Sequence, residues 1–316
     1  MSKITYKTKR FRAGTLEIIE KAEQIINEHA NMGFDLTLRQ LYYQFVQSDS
    51  FPEEWRDKKT GSKNIQSNYD KLGSIISNAR LAGMIDWNSI VDRTRQMKEN
   101  GHWISPSQMI RAYSRWYELN KWIGQPYRVE VWIEKDALIG VIEGICRELD
   151  IPRFSCRGYT SQSEMWRAGK RLKDYHKFGG ATPVILHLGD HDPSGIDMTR
   201  DIRDRLLMFS ELEDDEFIME RIALNMDQIE EYNPPPNPTK LTDSRAEGYI
   251  SDYGNDSWEL DALNPQVMSQ LISDKVYEYM DEDLWDEVKE KEERHKSFLS
   301  TVCDRWEDII EFLDVE

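Results

Sequence analysis

Apolar positions in the first third of the chain recur at helical spacing in three segments. Residues 14–32, 36–47 and 68–85 each carry apolar side chains at intervals of three and four. The segment DWNSIVDRTRQ that follows predicts a short hairpin or wing. Three helices and a wing indicate a winged-helix domain over residues 1–100, in which the last helix commonly lies in the major groove of DNA. That helix would present to DNA the polar side chains of Asn68, Lys71, Ser74, Asn78 and Arg80.

From residue 128 the pattern changes to buried strands that alternate with amphipathic helices. The predicted strands are RVEVWIE, PRFSCRGY and PVILHLGD, at residues 128–134, 152–159 and 183–190. This alternation indicates an α/β fold with a parallel, Rossmann-like sheet, expected over residues 128–272. Ligands bind such sheets at the carboxyl ends of the strands. Those ends carry Glu134, Arg157 with Gly158 and Tyr159, and Asp190 with His191 and Asp192.

Two further segments connect or follow these units. Residues 101–127 are rich in Trp and Tyr, and we interpret them as an aromatic connector packed against both units rather than as a base-stacking surface. Residues 273–316 predict an acidic helical tail. The tail is expected to be a solvated helix packed on the sheet; the alternatives are that it binds a partner or shields the basic front of the chain.

The carboxylates at the strand ends are candidate metal ligands. Asp190 and Asp192 are one residue apart, and Glu134 ends the neighbouring strand. Oxygen ligands without His or Cys suit Mg²⁺ or Mn²⁺, which stabilise charge on a transferring phosphoryl group. The competing interpretation is that Asp190 caps the next helix or a turn and that Asp192 only precedes Pro193 in that turn.

Charge is distributed unevenly along the chain. The net charge is −17, but residues 1–130 hold 20 Lys and Arg against 15 Asp and Glu. Residues 131–316 hold 21 basic and 43 acidic residues. A mildly basic front followed by an acidic back is compatible with a DNA-facing domain and a carboxylate-rich metal domain, and equally with an ordinary acidic surface.

Cysteine usage and hydropathy narrow the class of protein. The three cysteines, Cys146, Cys156 and Cys303, are scattered, which argues against a disulfide framework and a structural zinc site. No apolar run has the length of a membrane span, and the basic N-terminus lacks the apolar core of a signal peptide. We therefore expect a cytoplasmic protein without a membrane partner.

Several stretches resemble one family of DNA-cleaving proteins. Glu134 followed by KDALIGVIEGIC, together with GDHDPSG, resembles a Toprim domain. RGY at 157–159, NPTKLTDSR at 237–245 and WELDAL at 258–263 extend the resemblance to the A subunit of topoisomerase VI and the related meiotic double-strand-break transesterase. LTLRQLYYQF resembles the active-site helix of that family, and the similarity covers roughly residues 15–270.

The resemblance implies a set of roles. Tyr43 would attack a DNA phosphodiester and become linked to the 5′ phosphate, while Glu134, Asp190 and Asp192 hold Mg²⁺ or Mn²⁺ on the partner protomer of a homodimer. Glu134 would also serve in proton transfer. Arg39, one turn before Tyr43, would hold a phosphate or polarise the phenol. At about 100° per residue, Tyr42 faces the core and Tyr43 points toward solvent or DNA.

Other basic and polar groups are weaker candidates. Lys135 and Arg157 flank the predicted metal site and would bind DNA phosphates. Lys240 and Arg245 would do so too, or would pair with the acidic tail. His191 is expected to point away from the site, and Asp197 extends its acidic edge.

The chain departs from the topoisomerase in having no ATPase motif, so strand passage would need a separate B-type ATPase subunit. It looks like the reduced A-type proteins of phages and plasmids. The leading hypothesis is metal-dependent cleavage of double-stranded DNA by tyrosine transesterification. The alternatives are a Toprim nuclease that hydrolyses DNA with metal-bound water, a DNA-binding regulatory protein with a relict site, and, more weakly, a primase-like polymerase.

Overall fold

A computed structural model describes residues 3–91 and 102–313 of the chain. Its first unit consists of three helices, α1 (Ala13–Asn31), α2 (Leu38–Gln47) and α3 (Gln66–Leu81). They enclose a core in which Leu41 and Phe45 of α2 are fully buried. All three predicted helices are thus present, with ends shifted by a few residues.

The predicted hairpin after α3 is not formed in the part of it that the structure describes. Residues 86–91 form a turn and a single parallel bridge between Leu36 and Ile90. The rest of that segment lies outside the described residues. The observed architecture of the first unit is therefore three helices with isolated bridges at their margins.

The second unit is built on a four-stranded sheet, in which every pairing is parallel. Its strands are β1 (Tyr127–Ile133), β2 (Arg153–Ser155), β3 (Thr182–Leu188) and β4 (Ile218–Ala223), in the order β2–β1–β3–β4. The predicted parallel α/β sheet is confirmed. Only three residues of the predicted second strand pair, because β2 lies at the edge and has one neighbour.

Helices cover both faces of this sheet. On one face, α5 (Ile139–Glu148) and α10 (Pro265–Tyr279) pack on side chains such as Val131 and Leu186. On the other, α6 (Gln162–Lys177) and α7 (Pro193–Ser210) pack on Trp132 and its neighbours. Successive strand residues point to opposite faces of the sheet. The continuous apolar runs of β1 and β3 therefore provide buried side chains to the hydrophobic cores on both faces.

The remaining elements frame the strand ends and the C-terminus. They are α4 (Pro106–Trp116), α8 (Met226–Tyr232), β5 (Asn237–Pro238), α9 (Ala246–Tyr253), β6 (Asp256–Ser257), α11 (Glu282–Asp304) and α12 (Trp306–Leu313). The predicted tail is helical, but the expected boundary at residue 273 falls inside α10. Val276 of α10 and Trp285 of α11 pack on the sheet core, whereas most contacts of α11 are with α4.

The aromatic connector is packed only in part. Trp122 is buried in the sheet core, where its indole donates to the carbonyl of Leu149 at 2.9 Å. Trp116, by contrast, is 69% exposed, contrary to the expectation that the connector packs against both units. No helix among the described residues is long and apolar enough to cross a membrane.

Candidate functional site

The carboxyl ends of β1 and β3 meet in a cleft of about 710 Å³ that contains all three predicted metal ligands. Glu134 follows β1, and its Oε2 accepts a hydrogen bond from the Asp190 backbone N–H at 2.7 Å. Asp190 Oδ1 accepts from the backbone N–H of Leu260 at 2.8 Å. The two strand ends are adjacent because β1 and β3 pair along their whole length, up to Ile133 and Leu188.

Asp192, and not Asp190 as in the competing interpretation, has the capping role. It is the N-cap of α7, and its Oδ1 accepts from the backbone N–H of Gly195 at 2.7 Å and from the Ser194 hydroxyl at 2.8 Å. Gly195 is required here, because a Cβ at this position would lie 2.1 Å from the Asp190 carbonyl oxygen. The cap and the cleft therefore share one carboxylate.

Two carboxylates of the cleft, Glu259 and Asp261, were not among the predicted site residues. They belong to WELDAL, the stretch that directly follows β6. A backbone bridge between Trp258 and His191 holds this stretch beside the Asp190 loop. The acidic residues of WELDAL itself were the sequence signal for them.

Lys135 is the central cation of the cleft. Its Nζ lies 2.9 Å from Asp190 Oδ2, 3.0 Å from Glu259 Oε2 and 2.8 Å from Asp261 Oδ2. Arg39 of α2 donates to the same Glu259 oxygen at 2.5 Å, and its Nε lies 3.6 Å from Asp261 Oδ2. The predicted role of Lys135 in binding DNA phosphate is not visible in this arrangement, because its ammonium group faces three carboxylates.

Arg221 holds the backbone of the loop that carries Asp190, and it was not among the predicted site residues. Its guanidinium donates to the carbonyls of Gly189 at 2.9 Å, Asp190 at 2.6 Å and Gly195 at 3.1 Å. Burial lowers the pKa of Arg221 against the opposing effect of the nearby carboxylates. These bonds fix the loop that carries Asp190, because three of its carbonyls share one donor group.

The electrostatics of the cleft differ from one carboxylate to the next. Burial, and then the negative charge of Asp190, raise the pKa of Glu134 to about 7. Burial also raises the pKa of Asp190, although Lys135 opposes it. Burial of Glu259 acts in the same direction, but Lys135 and Arg39 outweigh it and lower its pKa to about 2. The pKa values of Glu134 and Asp190 are thus both raised, whereas that of Glu259 is lowered.

The donor set of the cleft suits a hard divalent cation. Seven carboxylates line it, and the buried Oδ1 of Asp261 has no hydrogen-bond partner among the described atoms. All of these donors are oxygen, which Mg²⁺ and Mn²⁺ prefer. Within the described residues, however, no three acidic, His or Cys side chains stand in coordinating geometry, so a bound ion would require side chains to reorient.

Tyr43 is buried, which corrects the prediction that it points toward solvent or DNA. Its side chain is 3% exposed, because the 3-10 turn Leu260–Ala262 of the second unit covers that side of α2. A helical wheel of α2 separates the side that faces the three-helix core from the opposite side, but it does not include the second unit. Burial, and then the charge of Glu259, raise the pKa of Tyr43, and the Arg39 guanidinium lies 5.8 Å from its ring centre.

The prediction for the neighbouring tyrosine is confirmed. Tyr42 packs in the core of the three-helix unit, and its hydroxyl lies 3.1 Å from both Asn64 Oδ1 and the Ile65 carbonyl. Burial raises the pKa of Tyr42 to about 12. Both tyrosines line a small pocket with Arg39 and Glu259, but only the Tyr42 hydroxyl is held by Asn64 and Ile65.

The residues predicted to contact DNA from α3 have unequal surroundings. Lys71 is exposed, whereas Asn78 donates to a carbonyl of its own helix at 2.9 Å. Arg80 is turned inward, where it donates to the carbonyls of Trp87 and Ile90 and stacks on the Trp87 ring. The predicted phosphate or base contact of Arg80 is thus replaced by one that closes the segment after α3.

The candidates around the rim also divide. Arg157 is exposed and forms an ion pair with Asp136 at 3.0 Å, and Lys240 lines the cleft. His191 points away from the cleft as expected, with its Nδ1 2.7 Å from the Tyr249 hydroxyl. Arg245 pairs with Asp197 at 2.9 Å and not with the acidic tail.

Comparison of the chain with protein-family models, with curated proteins and with solved structures gives no match. The class that the fold defines is a mixed α/β protein with a four-stranded parallel sheet and a carboxylate-rich cleft at its strand ends.

Proposed function

We propose that this protein is a metal-dependent DNA-cleaving transesterase, similar to the A subunit of topoisomerase VI, with a winged-helix-like first unit and a Toprim-like second unit. The observation that carries the proposal is that Arg39 of α2 lines the same cleft as Glu134, Asp190 and Asp192. Tyr43 lines an adjoining pocket, which shares Arg39 and Glu259 with that cleft. The positions of the carboxylates at the strand ends do not by themselves require the helix with the candidate tyrosine to lie beside the cleft.

In this proposal the chain's own residues perform a phosphoryl transfer. The Tyr43 oxygen forms a bond to a DNA phosphorus, the bond from that phosphorus to the 3′ oxygen breaks, and the 3′ oxygen takes up a proton. Glu259, whose charge acts on the Tyr43 phenol, accepts its proton in this scheme once Arg39 has moved onto the substrate. Glu134, Asp190 and Asp192 would hold Mg²⁺ or Mn²⁺, which when bound stabilises negative charge on the phosphate.

Arg39 has two roles in this scheme. Without DNA it pairs with Glu259 at 2.5 Å and closes the region above Tyr43. A DNA phosphate competes with Glu259 for the guanidinium, since Arg binds both groups through the same pair of donors. Binding therefore moves Arg39 onto the substrate and leaves the Glu259 carboxylate to the Tyr43 phenol.

The partners of the proposal are double-stranded DNA, a second copy of the chain and a separate ATPase subunit. The resemblance implies that the tyrosine of one protomer meets the metal of the other. Here Tyr43 lies beside the carboxylates of its own chain. The proposal accordingly places the reaction within one protomer, with the dimer making the paired cuts.

The first test incubates the purified protein with supercoiled plasmid and Mg²⁺ or Mn²⁺, followed by SDS with and without protease. We expect nicked or linear DNA that carries covalently bound protein. Tyr43→Phe and Asp190→Ala should each lower this product by about a thousandfold or more, because each removes a group that acts on the reacting phosphate. Tyr42→Phe is the matched control and should retain cleavage, since the Tyr42 hydroxyl contacts Asn64 and the Ile65 carbonyl and no group of the strand-end cleft.

Mixing Tyr43→Phe and Asp190→Ala proteins tests whether the site lies within one protomer. If it does, the mixture stays inactive, because neither chain holds an intact set. Recovery of single-strand nicks would place the tyrosine and the carboxylates on different protomers. Absence of any covalent adduct with wild-type protein would contradict the transesterase proposal.

A hydrolytic nuclease is the second candidate, and the burial of Tyr43 favours it. Burial raises the pKa of the phenol, which works against its use as a nucleophile. In that case Tyr43 is a packing residue and water attacks the phosphate. Cleavage without an adduct that survives Tyr43→Phe but not Asp190→Ala identifies this activity.

A further inference from the structure

The helix α4 has an exposed apolar stripe. Met109, Tyr113 and Trp116 follow one another at helical spacing and are all exposed. Trp103, which precedes the helix, extends the stripe, because its ring centre lies 5.9 Å from that of Tyr113. Contiguous exposed aromatic surface of this kind is typical of interaction sites. The inner side of α4 packs on α11, so the stripe faces outward.

The helix α12 has a second apolar stripe with few contacts. Trp306, Ile309, Ile310 and Leu313 recur at intervals of three and four, the pattern of an amphipathic helix. None of the residues of α12 is buried: Trp306, Ile309 and Ile310 are half-buried, and Leu313 is 58% exposed. Neither α4 nor α12 adds a residue to the hydrophobic cores formed by the described residues 3–91 and 102–313.

The two stripes are complementary in charge. The helix α4 carries Arg111 and Arg115 and no acidic residue, whereas α12 carries Glu307, Asp308 and Glu311 and no basic one. Apolar stripes flanked by opposite charges are matched surfaces for helix packing. Both halves of the match are present on every copy of the chain.

We propose that the chain forms a twofold dimer in which α12 of each copy packs its apolar stripe on α4 of the other. A twofold axis generates this contact twice, so both stripes of both chains are covered at once. Within one chain, Arg111 forms an ion pair with Asp304 at 3.2 Å, which places the start of α12 near α4. This inference specifies the surface of the expected dimer and stands whether or not the protein cleaves DNA.

The test measures molar mass by light scattering or sedimentation over a range of concentrations of the full-length protein. Wild type should dimerise, and Trp116→Ser should raise the dissociation constant by about thirtyfold or more, as loss of a central aromatic contact does. Trp166→Ser is the matched control and should leave dimerisation unchanged, because Trp166 is a similarly exposed Trp on α6, outside the proposed surface.

Charge reversal distinguishes packing of α12 on α4 of the other copy from packing of α12 on α4 of its own chain. Arg115→Glu makes α4 unfavourable to α12, and Glu307→Lys with Glu311→Lys does the same from the other side. Each variant alone should dimerise about tenfold more weakly. An equimolar mixture of the two variants should recover wild-type affinity, because each helix then meets the opposite charge on the other chain.

Three outcomes would overturn the inference. One is a wild-type protein that remains monomeric at every concentration. Another is a dimer whose affinity is indifferent to Trp116→Ser and to both charge reversals. The third is weakening by the reversals that mixing does not repair, which would mean that α12 packs on α4 of its own chain.

Discussion

At the scale of single residues, Lys135 determines the charge state of the cleft. It lies within 3.0 Å of three carboxylates that belong to two separate parts of the chain. Removing one partner of a buried ion cluster leaves the other charges without compensation, which costs more than the pairing contributes. Lys135 is therefore a structural cation, and its position overlaps the region that a divalent ion would neutralise.

The variant Lys135→Met tests this role. Without divalent ions it should lower the free energy of unfolding by about 3 kcal/mol, because Asp190, Glu259 and Asp261 then repel one another. Excess Mn²⁺ should restore part of that loss, since it supplies the missing positive charge. Urea unfolding in EDTA and in MnCl₂ measures both quantities.

Lys275→Met is the matched control. Lys275 also contacts two carboxylates, Glu220 and Glu278, but at the protein surface. Its loss should change stability by less than about 1 kcal/mol and should be insensitive to Mn²⁺. A Lys135→Met protein as stable as wild type in EDTA would show that the cleft does not depend on this cation.

At the scale of elements, the turn from β3 into α7 links the sheet to the cleft. Asp192 caps α7, Gly195 lies against the Asp190 carbonyl, and Arg221 donates to both sides of the turn. The three contacts hold the helix start and the strand end at a fixed separation. The position of Asp190 in the cleft follows from that separation.

Gly195→Ala should therefore be disproportionately harmful. Its Cβ would meet the Asp190 carbonyl oxygen at 2.1 Å, so either the turn or α7 must move. We expect a loss of about 2–4 kcal/mol in thermal or urea unfolding. Gly144→Ala on α5 is the control, where a Cβ meets nothing within 4 Å and the better helix propensity should add up to about 1 kcal/mol. Equal effects of the two substitutions would contradict this account.

The strand-end part of the site was predictable, and the rest was not, for a physical reason. β1 and β3 are buried on both faces, so the ends of their apolar runs predict that Glu134 and Asp190 lie at the carboxyl ends of the strands. Glu259 and Asp261 lie in an irregular stretch without periodicity, positioned by a bridge to His191. The cover over Tyr43 comes from residues more than 200 positions away, which no helical wheel contains.

At the scale of the whole molecule, the two units are joined through the 3-10 turn Leu260–Ala262. Ala262 is buried in the core of the three-helix unit, and Glu259 forms an ion pair with Arg39. Gln47 of α2 also donates to the Tyr232 carbonyl at 3.1 Å. The position of α2 relative to the sheet thus depends on residues 259–262 together with the contact at Tyr232.

Ala262→Glu should loosen this junction, because it places an unpaired carboxylate between the two units. Amides of α2 should exchange with solvent about a hundredfold faster, while those of β1 and β3 change little. Hydrogen-exchange mass spectrometry resolves the two sets. Ala168→Glu, buried on the far side of the sheet, is the control and should disturb α6 and α7 instead. Unchanged exchange in α2 would show that the turn does not hold the units together.

The Arg39–Glu259 ion pair spans the two units directly above Tyr43. A small phosphate ester that enters the cleft does not displace this ion pair, because the ester gains contacts with only one of the two units. A duplex long enough to touch both units gains enough contacts to compete for Arg39. Under the proposed function, cleavage therefore depends on substrate length. Short oligonucleotides bind in the cleft without being cut, and free nucleotides in the cell do not react with Tyr43.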